Sequence, residues 1–129
     1  MRARGLDRDA GSAVVDFALV GSLLTVLFAA VVQLGLALYV HNMLVSCAAE
    51  GARYAARADR QASDAVPATK ELVVQTLNAS YAGDVTVNEE TVGGVRTVVV
   101  RIRAPVPLFG FLGPSRAMQV TGHAFSERQ

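Results

Sequence analysis

The sequence predicts an α+β chain in which a long N-terminal transmembrane helix continues into a small domain with a second helix and a three-stranded antiparallel sheet. Three observations predict it. Residues 17–40 run for 24 residues without a charged side chain. At about 1.5 Å per residue such a helix is roughly 36 Å long, enough to cross the roughly 30 Å hydrocarbon core of a bilayer. Helical spacing then carries on through Ala-rich sequence to residue 58. From Asp84 the apolar period changes to two, the alternation of a half-buried strand.

The chain opens on a short polar segment with Arg2, Arg4 and Arg8 ahead of the span. A basic flank of this kind favours an N-terminus left in the cytoplasm, although Asp7 and Asp9 dilute it and Arg53, Arg57 and Arg60 follow on the other side. Gly11 is followed five positions later by Asp16, and then by the apolar run. A secretory signal peptide places its cleavage site after the apolar region, whereas here the Gly-centred boundary comes before it. This order resembles the prepilin signal, in which a membrane peptidase cuts after a Gly and leaves the apolar helix on the mature protein. The cut would fall between Gly11 and Ser12. Prepilins usually carry Glu where this chain has Asp16, a shorter side chain of the same charge. The same residues also read as a helix start, with Ser12 as N-cap and Asp16 near the positive end of the helix dipole, and the two readings are compatible.

Within the span, Gln33, Thr25 and Ser22 are the polar members, and Gly21 and Gly35 sit where close helix approach is easy. Small residues and a polar amide suggest a helical partner, the alternative being a lone Gln tolerated in lipid. Tyr39 stands where an interfacial aromatic anchor is expected. Beyond it, Leu44, Cys47, Ala48, Ala52, Ala55 and Ala56 form a small, apolar face at helical spacing, and Glu50, Arg53 and Arg57 gather on another side. Residues 12–58 thus read as one helix on the order of 70 Å long.

A polar break at residues 59–65 offers Ser63 or Asp64 as N-cap for a helix over 66–80, with Pro67 in its first turn and Gly83 closing it. Val85 and Val87 alternate with Thr86 and Asn88, and Val98, Val100 and Ile102 with Val99, Arg101 and Arg103, on either side of Gly93-Gly94, which reads as a β-hairpin. One face carries the apolar residues and the other Arg101 and Arg103. A last strand over 118–125 completes the sheet. The loop 104–115 has three prolines and two glycines yet carries Leu108, Phe109, Phe111 and Leu112. Four large apolar residues in a loop either plug the small core or meet lipid headgroups or another subunit.

Composition excludes several classes of function. After the span nine Lys and Arg face eight Asp and Glu, with no basic stripe, which gives no argument for nucleic acid. The single cysteine, Cys47, excludes an internal disulfide, and no His, Cys and acid spacing matches a metal site. No phosphate loop, nucleophile elbow or zinc-protease helix is present, so neither catalysis nor a cofactor is expected.

The segments GSAVVDFALV (11–20), YVHNML (39–44) and AAEGARYAAR (48–57) resemble the TadE-like family of pilin-related proteins of tight-adherence (Flp-type) pilus systems. The likeness covers about the first 60 residues. It implies a pilin-like fold with a leader over 1–11, a long helix over 12–60 holding the span 17–40, and an extracytoplasmic α+β head over 61–129. It also implies a structural, minor pseudopilin-like subunit in the bacterial cell membrane, single-pass, with its N-terminus cytoplasmic. Its partners would be other pilin-like subunits, pilus assembly proteins and a prepilin peptidase. Gly11 and Ser12 would be the cleavage pair, Asp16 the acid for processing and assembly, and Gly21, Gln33 and Gly35 the helix contact. Two alternatives come from other classes. LVSC (44–47) matches a lipobox that would make Cys47 an acylated N-terminus, although His41-Asn42 separates it from the apolar run. A single-pass anchored binding module fits the topology as well, without a residue constellation to support it.

Overall fold

The computed structural model describes residues 6–107 and 117–127. Helix α1 (Leu6–Ala56) is followed by a 3-10 turn (Ala62–Asp64), α2 (Ala65–Thr76), a second 3-10 turn (Ala79–Ala82), β1 (Asp84–Val92), β2 (Val95–Pro105) and β3 (Ala117–Phe125). This is the α+β layout expected from the sequence. The chain divides into two compact units, residues 1–35 and 36–129.

In the first unit α1 is already helical at Leu6, which makes Ser12 an interior helical position and not an N-cap. Asp16 is likewise an interior residue of α1. The physical reason is cooperativity: once the apolar segment is helical, extending it across Gly11 costs about 1 kcal/mol relative to Ala, less than forming a new helix end. Large apolar side chains of residues 14–34 stand exposed on every side of the helix, with Phe17 80% and Phe28 69% accessible. The helix is long and apolar enough to cross a membrane by length and composition.

The second unit is built on the sheet, in the order β1-β2-β3 with both pairs antiparallel. Val92 pairs with Val95 across a two-residue turn, and Gly93 and Gly94 take φ of 60° and 83° there. Two successive positive φ values are those of a type I′ turn, which twists with the flanking strands and is open to glycine at no steric cost. Val98, Val100 and Ile102 point to one face and are fully buried, as the alternation predicts. Val99 is just as buried on the opposite face, between Asn88 and His123 in register. Arg101 lies on that face too, its guanidinium 3.2 Å from Glu90 Oε1 on β1.

One cluster joins the sheet to the helices. Leu44, Cys47, Ala48, Ala52, Ala55 and Ala56 of α1, the face read from sequence, are all buried with Val98, Val100 and Ile102, and Val40 joins them. Small side chains predominate on α1, so the burial that holds the unit comes from close backbone approach as much as from side-chain bulk. A Cβ added at Gly122 of β3 would run into the α1 backbone at Ala48 and Ala49.

Helix α2 is shorter than the expected 66–80. The Thr76 hydroxyl donates to Leu72 O at 2.6 Å, Leu77 leaves helical geometry (φ −124°, ψ −96°), and Asn78 is extended. The Asn78 side chain then accepts from Ser80 N at 3.2 Å and starts the 3-10 turn that delivers the chain to β1. Side-chain competition for backbone partners is the usual reason Asn and Thr close helices. Asp64 occupies the N-cap position of α2 but makes no cap bond there. Its carboxylate accepts from Gln61 N at 2.8 Å, bracing the preceding turn. Strand β2 absorbs Ala104 and Pro105 of the expected loop, while Leu108, Phe109, Phe111 and Leu112 lie outside the described residues.

After β3 the chain returns to the end of α1. Glu127 N donates to Ala56 O at 2.8 Å, and the Glu127 carboxylate accepts from Ala58 N at 3.2 Å. A helix leaves its last carbonyls without intrahelical donors, and this bond satisfies one of them.

Candidate processing and helix-contact site

Gly11, Ser12 and Asp16 lie on two consecutive turns of α1, and all three are exposed. Ser12 and Asp16 are four apart, hence neighbours on one face of the helix. An amine created at Ser12 by cleavage after Gly11 would lie one turn from the Asp16 carboxylate. Gly11 has open space around its α-carbon, and as the weakest helix former near the N-terminal end it is where α1 unwinds most cheaply.

The polar groups farther along the span behave differently from one another. Ser22 Oγ donates to Leu19 O at 2.9 Å and Thr25 Oγ1 to Gly21 O at 2.8 Å. Both hydroxyls are thereby satisfied within their own helix, as they must be where no water is available. They do not call for a partner. Gly21 and Gly35 each have room for a neighbouring helix, with no atom within 4 Å of an added Cβ. At about 100° per residue the two glycines fall within about 40° of each other around the helix, while Gln33 stands about 160° from Gly35. The three expected contact residues therefore occupy two faces, Gly21 with Gly35 on one and Gln33 on the other.

The lipobox cysteine is not at a boundary. Cys47 is 6% exposed inside a continuous helix and packs in the core, with Sγ 4.0 Å from Thr76 Oγ1. Among the described residues no group of three or more His, Cys, Asp or Glu is placed to hold a metal ion.

Residues 11–53 match the family model described as TadE-like protein. The matched segment covers a third of the chain: Gly11, Ser12, Asp16, the apolar helix and part of the face that packs on the sheet. The match points to involvement in the Tad pilus system and to a membrane-anchoring N-terminal helix. No curated protein and no solved structure matches the chain.

Two residues that hold this segment in place were not singled out by sequence reasoning. A Cβ at Gly51 would run into the Thr69 hydroxyl of α2 and stand 3.0 Å from Thr69 Cβ. Thr69 Oγ1 is itself buried without a hydrogen-bond partner among the described residues. A Gly in an otherwise Ala-rich helix was the available signal for this crossing, since only a close approach repays its lower helix propensity.

Proposed function

We propose that this chain is a structural, minor pseudopilin-like subunit of a tight-adherence pilus assembly or secretion system. It is anchored by the span 17–40 in the bacterial cell membrane, with residues 1–11 as a cytoplasmic leader and residues 61–129 as an extracytoplasmic head. The observation that carries the reading is the combination, within one TadE-like segment, of Gly11 and Asp16 at the head of an apolar stretch of α1 whose side chains are exposed on all sides. Such a helix is stable in lipid, and its remaining function is to pack laterally.

Prepilin peptidase removes the leader after Gly11, and the new Ser12 amine pairs with the Asp16 carboxylate of its own or a neighbouring subunit. An unpaired carboxylate at the membrane edge is costly, so this pairing sets the axial register of one helix against the next. Gly21, Gly35 and Gln33 contact other pilin-like subunits. The role is one of assembly, not catalysis. The lipoprotein alternative is disfavoured by the burial of Cys47, whose release as an N-terminus would cut α1 through the core it helps to form.

Mass spectrometry of the membrane-extracted protein, with protease added to spheroplasts, tests the reading. A mature chain starting at Ser12 and digestion after Arg57 are the expected results. A chain starting at Cys47 with lipid attached, or a fully protected head, would overturn it.

A further inference from the structure

Two contacts fix where the sheet stands along the second unit's part of α1. A Cβ at Gly122 of β3 would run into the α1 backbone at Ala48 and Ala49, and Glu127 N donates to Ala56 O at 2.8 Å. The step from Gly122 to Glu127 therefore runs alongside the step from Ala48 to Ala56. That sets about 16 Å of extended chain against about 12 Å of helix, so β3 points the same way as α1 with a moderate tilt. The same step taken backwards from Gly122 reaches Ala117, where β3 begins, level with Val40. Pro105, the last residue of β2, pairs with Ala117 and stands at the same level.

Burial gives this level independently. Val40 closes the uncharged span, yet it is only 3% exposed. Leu36, one turn earlier, packs with Met118 against the cluster that holds Val40 and Ala104. The sheet end thus reaches the last turn of the span. A hydrocarbon core of roughly 30 Å needs about 20 residues of helix, so a 24-residue span carries its last turn into the headgroup layer.

The sequence at this end suits that layer. Residues 104–115 contain no charged side chain, and Arg103 and Arg116 bracket them. Large apolar residues flanked by arginines match an interface where apolar groups meet acyl chains and guanidinium groups meet phosphates. Arg103 is exposed on the described strand. The opposite end of the sheet, around the hairpin turn, has a different character, with Glu89, Glu90 and Arg96 beside Thr91.

We infer that the sheet end formed by Arg103 to Pro105 and by Ala117 and Met118 rests in the phospholipid headgroup layer of the bilayer that holds α1. The inference rests on the membrane-anchored reading above and adds a lipid contact to it. The lipid surface then holds the head at a second point besides α1, with Arg103 on the phosphates.

Full-length protein carrying Ala117→Cys, Thr91→Cys near the hairpin turn or Leu27→Cys in the span is labelled with a small fluorophore and reconstituted in phosphatidylcholine vesicles. Native Cys47 is buried, and the unsubstituted chain sets the background. Lipids bearing a nitroxide at the headgroup are expected to quench the Ala117→Cys label at least threefold more than the Thr91→Cys label. Lipids bearing it at mid-chain quench the Leu27→Cys label. Arg103→Glu added to the Ala117→Cys chain lowers its quenching at least twofold. An Ala117→Cys label quenched no more than the Thr91→Cys label, or one indifferent to Arg103→Glu, would overturn the inference while a quenched Leu27→Cys label leaves the anchored reading standing. A Leu27→Cys label that no lipid quenches would instead remove that reading and the inference with it.

Discussion

Gly51 of α1 and Thr69 of α2 meet so closely that the space a side chain would need at position 51 is filled by the Thr69 hydroxyl. The two helices cross at this point, and the buried hydroxyl finds no hydrogen-bond partner among the described residues. Gly51→Ala is expected to destabilise the head by about 1–3 kcal/mol, the usual cost of overpacking. Thr69→Ala removes both the obstacle and a buried unsatisfied group, so the penalty of Gly51→Ala should shrink in that background. Thermal unfolding of the four proteins of this double-mutant cycle checks the point, and additive effects would mean that the pair does not couple.

Gly122→Ala should cost more, about 3 kcal/mol, because the obstacle there is the α1 backbone at Ala48 and Ala49, which no rotamer change can clear. Increased proteolysis of β3 in detergent-solubilised protein is the expected sign. A Gly122→Ala head with unchanged protease resistance would show that α1 can move away from the sheet without penalty.

The helical setting of Gly11 and Ser12 bears on the cleavage proposed above. With Gly11-Ser12 inside α1, a peptidase cutting there would have to unwind a turn to reach the bond, so Gly11→Ala should slow cleavage and Gly11→Leu should leave full-length precursor in the membrane. Asp16→Ala should be inserted and largely cut but defective in assembly, whereas Asp16→Glu should be tolerated. N-terminal mass and pilus counts distinguish the classes. Normal assembly of Asp16→Ala would leave Asp16 no more than a residue of the helix.

Because Gly21 and Gly35 share one face and Gln33 another, substitutions should separate two contacts. Gly35→Leu is expected to abolish cross-links engineered beside Gly21 while sparing those beside Gln33. Gln33→Leu should do the converse, weakening its contact by about 1 kcal/mol. Cross-linking that falls equally in both variants would point to a single interface.

The parts of this fold that were legible in the sequence are those in which one residue pattern has one structural meaning. An uncharged run long enough for a bilayer, a row of Ala and Leu at helical spacing, and Val alternating around Gly93-Gly94 each leave little choice. Helix ends were harder. Whether a helix begins at Ser12 and where α2 ends depend on whether Ser12, Thr76 and Asn78 cap, bond back to the helix or do neither, and their side chains are capable of all three. Harder still were Gly51 with Thr69, Gly122 with Ala48, and Glu127 with Ala56, since nothing in a linear pattern says which distant backbone will approach. Of the candidate site, the residues could be named from sequence, but the division of Gly21, Gly35 and Gln33 between two faces needed a continuous helix to count along.

The tie between Glu127 and Ala56 has a consequence for the order of events during synthesis. Helix α1 leaves the ribosome first, with Leu44, Ala48 and Ala52 ready to pack, but the strand that covers Ala48 and the residue that closes the helix end are made some seventy residues later. At about 5–20 residues per second this exposes a bare apolar face for several seconds on a helix already committed to the bilayer. The nascent chain must therefore be shielded during synthesis, and a stall before Gly122 should yield an anchored but uncovered helix, the species most prone to pair with the wrong neighbour.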